Sequence, residues 1–92
     1  MTRKYRSKIK LLIDILDSIE GNPETNLSHV SLRANIPHSR LKPIIDHLHE
    51  QGLINVNKKD KKTVNVSLTD SGYRFLMELK KLYKILAQIG LD

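Results

Sequence analysis

Ninety-two residues without a cysteine are enough for one compact domain and too few for two, and they exclude disulfides and thiolate metal sites. Apolar residues make up 39% of the chain and the aromatics are three tyrosines and one phenylalanine, so any core is built from Leu, Ile and Val; with only about 60% of its surface to bury, a chain this small favours stabilisation by self-association. The net charge of +6 gathers in two places, Arg3, Lys4, Arg6, Lys8 and Lys10 at the start and Lys58, Lys59, Lys61 and Lys62 around Asp60, a pattern that attracts polyanions (DNA, RNA or anionic membrane) or merely solubilises a surface.

The opening run turns apolar at Ile9, Leu11, Leu12, Ile13, Ile15 and Leu16, which superficially echoes a secretory leader. Lys10, Asp14 and Asp17 interrupt it, no small-residue cleavage site follows, and nothing approaches the ~20 apolar residues of a membrane span. A soluble cytoplasmic protein with no membrane partner is expected. Within Ser7 to Glu20 the positions Ile9, Leu12, Ile13, Leu16 and Ile19 follow the spacing of one helix face. Ser7 is placed to cap that helix, Gly21 to end it in the left-handed conformation, and Asn22-Pro23 forbids continuation.

A short second helix is predicted from Asn26 to Ala34, with Leu27 and Val30 inward and Leu32 or Ala34 beside them; Asn35-Ile36-Pro37 breaks it. The third helix runs from Pro37 or Ser39 to Gln51 on a stripe of Leu41, Ile44, Ile45 and Leu48, and Gln51-Gly52 marks its end. Pro43 conflicts with a helix interior, where proline costs about 3 kcal/mol. The helix therefore either starts late, at Ser39, or bends early. Leu53 to Val56 and Thr63 to Leu68 read as two strands, the second with Val64, Val66 and Leu68 alternating against Thr63, Asn65 and Ser67. Asn57 to Lys62 joins them as the basic tip of a hairpin, which must pack on the helices to be stable. Thr69 caps a last helix that continues to about Ile89 through Leu76, Leu79, Leu82, Tyr83 and Leu86; at ~30 Å it is as long as the domain, and its far end overhangs the core.

The order helix, helix, helix, strand, strand, helix describes a mostly α fold with a β-hairpin wing. Ala34-Asn35-Ile36, Leu41, Ile44-Ile45, Leu48 and Gln51-Gly52-Leu53-Ile54, with Leu68-Thr69-Asp70-Ser71-Gly72 at the strand-to-helix junction, resemble the small archaeal winged helix-turn-helix regulators and roughly ten-kilodalton chromatin proteins that dimerise through a C-terminal helix. The likeness covers Ser7 to Leu86. It implies one winged helix-turn-helix domain over residues 1–92, double-stranded DNA as partner, and residues 73–90 as a dimerisation helix. The chain departs from the pattern at Pro37 and Pro43, where such proteins usually open the third helix with a serine cap and carry no internal proline. Its last helix is also shorter than in the coiled-coil chromatin type, which implies a compact helix pair.

In that scheme the third helix offers its N-terminal half to the major groove, where base edges carry a distinct donor and acceptor pattern. With the apolar stripe inward, Ser39, Pro43, Asp46 and Glu50 face outward, flanked by Arg40, Lys42 and His47. Arg40 and Lys42 suit guanine or phosphate and His38 and Ser39 hydrogen-bond, whereas Asp46 is either a solvated acid or an acceptor for a cytosine amino group. Lys58, Lys59, Lys61 and Lys62 form a wing on the flanking backbone or minor groove, or an edge hairpin protected by its lysines. Arg3, Lys4 and Arg6 are an arm on phosphate or a solvated tail. On the last helix Leu76, Leu79, Leu82, Tyr83, Leu86 and Ile89 form an apolar face too wide for one small core, the expected dimer interface.

His29, His38, His47 and His49 raise a metal hypothesis, but His47 and His49 point about 200° apart on a helix, so no metal and no other cofactor is expected. There is no phosphate loop, nucleophile elbow or conspicuous carboxylate pair, and so neither enzymatic activity nor a small-molecule ligand is expected. Three functions stay open: a homodimeric, sequence-preferring transcriptional regulator; a nucleoid or chromatin protein of low specificity; and a winged helix used to bind another protein.

Overall fold

The computed structural model describes residues 7–21, 25–60 and 63–91. Arg3, Lys4, Arg6, Lys61 and Lys62, all candidate DNA contacts, lie outside the described residues, as does Asn22-Pro23. The elements are α1 (Lys8–Glu20), β1 (Thr25–Asn26), α2 (Leu27–Ala34), α3 (His38–Glu50), β2 (Ile54–Lys58), β3 (Val64–Leu68) and α4 (Asp70–Gln88). Among the described residues no helix is long and apolar enough to cross a membrane.

Helix α1 starts where Ser7 Oγ accepts the Lys10 backbone N–H at 3.1 Å. It packs against α2, α4 and β3. A helix touched from several sides buries more than one stripe: Leu11 and Ile15 join Ile13, Leu16 and Ile19 in the core, while Ile9 and Leu12 from the expected face are only half-buried. Gly21, expected in the left-handed region, is right-handed at φ −62°. The left-handed position of this half of the chain is instead Asn35, φ 55°, at the end of α2. Asparagine tolerates that conformation better than other residues with a Cβ, and the reversal brings the Ile36 N–H to the Ser31 carbonyl at 3.0 Å and buries Ile36. Of the two candidates on α2, Ala34 faces the core and Leu32 is 81% exposed.

Helix α3 begins at His38 behind Pro37, which sits at the cap position and offers no side-chain hydrogen bond. Pro43 lies inside the helix, which continues through it unbroken. The proline removes the N–H that would meet the Ser39 carbonyl, and both residues are exposed, so water is at hand for the orphaned group. Leu41, Ile45 and Leu48 are buried, with Ile44 at the edge of the stripe and half-buried.

The sheet has three strands in the order β1-β3-β2, all antiparallel, rather than two. In β3 only Val66 is fully buried; Val64 and Leu68 are half-buried, so the expected alternation is weak. Val66 is opposed by Thr25 on one side and Val56 on the other.

The junction that carries the Leu-Thr-x-x-Gly pattern is a latch. Thr69 Oγ1 accepts the Gly72 N–H at 3.0 Å, capping α4, and donates to the Gly52 carbonyl at 2.7 Å. The Thr69 N–H donates to the Leu53 carbonyl at 3.1 Å. Gly52, left-handed at φ 73°, ends α3, and the Leu53 N–H returns to the Leu48 carbonyl at 3.0 Å. One threonine thus ties the end of α3, the base of the hairpin and the start of α4. Glycine at 72 follows from the same closeness, because a Cβ there would stand 1.9 Å from the Leu53 carbonyl oxygen.

Candidate nucleic-acid interface

Helix α3 has two flanks, and each lines a groove. On one side α3 and the hairpin enclose a concavity of about 840 Å³, with Lys42, Asp46 and His49 from the helix and Lys58 and Asp60 from the hairpin around a floor of Leu27, Ile45, Val56 and Val64. A shallower extension runs to the start of α2, past His38, Lys42, Asn26 and Ser28. On the other side α3, α1 and Phe75 of α4 enclose a groove of about 480 Å³, with Arg40, His47 and Lys8 at the rim. His38, Ser39, Arg40, Lys42 and His47 are all exposed. They are divided between flanks, however: His38 and Lys42 look toward the wing, Arg40 and His47 toward α1.

The charges on α3 are largely paired along the helix. Lys42 Nζ lies 3.0 and 3.3 Å from the two Asp46 carboxylate oxygens, and His47 Nδ1 is 3.7 Å from Glu50 Oε1. With neutral histidines, Arg40 and Lys42 are balanced by Asp46 and Glu50, so α3 has no net charge of its own. The positive field around it comes from its surroundings: Lys58 and Lys59 on the hairpin and Lys8 beside Arg40. Asp60 serves the turn, its Oδ1 accepting the Thr63 N–H at 2.8 Å. His49 is not among the contacts expected from the sequence, although the spacing 42, 46, 49 puts it on the same flank as Lys42 and Asp46. Lys8, read only as part of a basic tail, joins α3 through tertiary packing that no local pattern announces. Among the described residues no group of three His, Cys, Asp or Glu side chains is arranged to hold a metal ion.

The expected dimer face divides too. Leu76 and Leu79 are buried in the protomer's own core, because the first half of α4 packs against α1 and β3. Tyr83 is half-buried, with the Lys10 ammonium 5.9 Å from its ring centroid, and Leu86 is also half-buried. The other apolar side chains of this second half of α4 are left to solvent: Leu82 is 43%, Ile85 54% and Ile89 61% exposed. Ion pairs brace α1, Lys80 to Asp17 at 2.8 Å across to α4 and Lys10 to Asp14 at 2.7 Å along the helix. In each pair the hydrogen bond to the carboxylate raises the lysine above its ordinary pKa.

A family model described as winged helix-turn-helix matches residues 5–87. The chain belongs to that family. Among solved structures, this winged helix-turn-helix chain is similar to Sso10a-2, a DNA-binding protein from Sulfolobus solfataricus, at 20% identity and a TM-score of 0.81 over 91% of this chain and 85% of that one. It is also similar to the transcriptional regulators PcaV from Streptomyces coelicolor, with 20% identity, TM-score 0.78 and 86% of this chain covered, and BldR from Sulfolobus solfataricus, with 23%, 0.75 and 88%. It spans about three-fifths of those two regulators, 60% and 59% of their lengths. Identities this low speak for the shared fold alone. No curated protein sequence matches.

Proposed function

We propose that this winged helix-turn-helix chain binds double-stranded DNA as a homodimer and acts as a sequence-preferring transcriptional regulator on the nucleoid, in the cytoplasm. The observation that carries the reading is that His38, Lys42, Asp46 and His49 of α3 and Lys58 of the hairpin border one concave side of the protein, with Arg40 and His47 on the other flank of the same exposed helix. An α-helix fits the major groove, and in this arrangement His38, Ser39, Arg40, Lys42 and His47 reach base edges and phosphates there. Lys58, Lys59, Lys61 and Lys62 follow the flanking backbone or minor groove, and Arg3, Lys4 and Arg6 serve as an arm on phosphate. Residues 73–90 supply the dimer contact through Leu82, Ile85, Leu86 and Ile89, the apolar side chains the core leaves wholly or partly to solvent. A twofold pair sets two copies of α3 about 34 Å apart on one face of the duplex and reads a palindrome.

A second reading, a low-specificity chromatin protein, is favoured by the charge balance of α3. A neutral reading helix beside a lysine-rich wing puts the electrostatic attraction on the backbone rather than on bases. Selection of bound sequences from a random duplex pool decides between the two. Enrichment of a palindrome with half-sites one turn apart supports the regulator. Salt-dependent binding with a specific-to-random ratio near one leaves the chromatin reading, and no salt-dependent binding leaves a winged helix that contacts protein.

A further inference from the structure

His38, His47 and His49 all stand on α3, and all three are exposed; the chain's other histidine, His29, is on α2. Their surroundings let them decide the sign of the charge around that helix. On the wing side the charged residues that line the concavity are Lys42 and Lys58 against Asp46 and Asp60, which cancel, and His49 stands among them. His38 borders the shallower extension, where its charged neighbour is Lys42 and its polar ones are Asn26, Ser28 and Thr63. On the α1 side His47 lines the groove with Arg40 and Lys8, and Glu50 lies 3.7 Å from its Nδ1. The His47 side chain is 80% exposed, open to a partner that arrives from solvent. With neutral imidazoles the lysines and aspartates of the wing-side concavity therefore leave it without net charge, and α3 as a whole has none either. Imidazole is the side chain whose charge changes between about pH 5 and 8, while carboxylates and lysines keep theirs.

We infer that DNA binding by this chain is linked to proton uptake on α3: in acid His38, His47 and His49 become imidazolium donors to backbone phosphates, and a neutral helix becomes a cationic one. The inference rests on the DNA reading above and adds its regulation. B-DNA carries one negative charge per ~1.7 Å of its axis, and a phosphate beside an imidazole favours the protonated form. The complex therefore holds more protons than the free protein and DNA do, and by linkage a fall in pH tightens it. Protonation also turns the one acceptor nitrogen of each ring into a second donor, which suits phosphate oxygens on either flank of the helix. Because the three rings are divided between the two flanks, both sides of α3 gain charge together.

The test is the affinity of the full chain for one duplex of fixed sequence, read by fluorescence anisotropy at constant salt from about pH 5.5 to about pH 8, with circular dichroism to verify folding at each pH. The wild-type chain is expected to bind roughly tenfold more tightly at the acidic end. Its salt dependence steepens there by about 0.9 for each imidazolium seated on a phosphate. In the triple variant His38→Gln/His47→Gln/His49→Gln the ratio of the two affinities falls to about twofold or less, whereas His29→Gln, exposed on α2, keeps the wild-type ratio. Calorimetry near pH 6.5 in two buffers of different ionisation enthalpy needs no variant, and net proton uptake on binding is the expected result. Affinity that is flat with pH, binding without proton uptake, or a pH dependence that survives the triple substitution or vanishes with His29 overturns the proposal and leaves the DNA reading standing. Absence of salt-dependent binding at every pH ends both.

Discussion

Gly72 offers the sharpest test of how the interface is held. A methyl group at its Cβ position would lie 1.9 Å from the Leu53 carbonyl oxygen and 2.9 Å from the carbonyl carbon. Carbon and oxygen in contact sit at about 3.3 Å or more, so Gly72→Ala forces two stretches of backbone apart by over an ångström, with no flexible side chain to yield. That movement pulls on the Thr69 N–H bond to Leu53 and the Thr69 hydroxyl bond to Gly52. Losing both costs roughly 1 to 3 kcal/mol, and overpacking a buried position adds roughly 1 to 3 kcal/mol. Alanine's better helix propensity returns about 1 kcal/mol. The net is a destabilisation of about 1 to 5 kcal/mol, which in a domain of this size lowers the thermal midpoint by roughly 4 to 40 °C. Melting followed by circular dichroism measures it, with Ser71→Ala, one residue away and exposed, as the control that stays near wild type. A Gly72→Ala protein melting within about 3 °C of wild type would refute the latch.

Alanine at Lys58, Lys59, Lys61 and Lys62 together weakens binding to every duplex and reduces the salt dependence by about 0.9 for each phosphate no longer neutralised; an unchanged slope takes the wing out of the interface. Pro43→Ala restores a helical N–H on an exposed turn and stabilises the fold by about 2 kcal/mol, the propensity gain less the entropy the proline had removed from the unfolded chain; a lower melting midpoint contradicts the account of α3. Lys80 and Lys10 are raised above their ordinary value of 10.5 by hydrogen bonds to Asp17 and Asp14. The stabilisation from each pair is thus complete below 10.5 and lost as the pH climbs through the raised value. Both lysines are about two-fifths exposed, at 42% and 40%, so the effect is small. Asp17→Asn is expected to melt slightly below wild type at neutral pH and together with it at strongly alkaline pH, and a gap that widens with pH refutes the sign.

Helices α1 and α4 and their serine and threonine caps are legible in the chain because each rests on local chemistry: an apolar period, a hydroxyl three residues before a free N–H, a proline or glycine beyond the end. What escapes a sequence reading depends on partners distant along the chain. Two residues, Thr25 and Asn26, have no period to read, and they become a strand only because β3 has an open edge beside them. Leu76 and Leu79 share a spacing with Tyr83 and Leu86, and nothing in that spacing tells which part of α4 the core consumes. A helical wheel already sets Arg40 and Lys42 about 200° apart, but it does not tell that the hairpin stands on one flank of α3 and α1 on the other. Pro43 does remove a donor from the helix, as its place in the sequence announces, but an exposed turn tolerates a missing donor that a buried one would not.

On the proposed reading, in which α3 enters the major groove of DNA, the latch at Thr69 decides how that helix is held. A reading helix with no net charge is not held in register by its own attraction to phosphate, so its orientation must come from the protein. The end of α3, the base of the wing and the start of α4 meet at one hydroxyl and one glycine without a Cβ. Any motion of the wing on the backbone is therefore transmitted to α3 within a few bond lengths, and α4 carries the same constraint outward along its length. Loosening that junction should for this reason lower discrimination between sequences before it lowers affinity, since the lysines that supply attraction act as point charges and tolerate displacement, whereas hydrogen bonds to base edges do not.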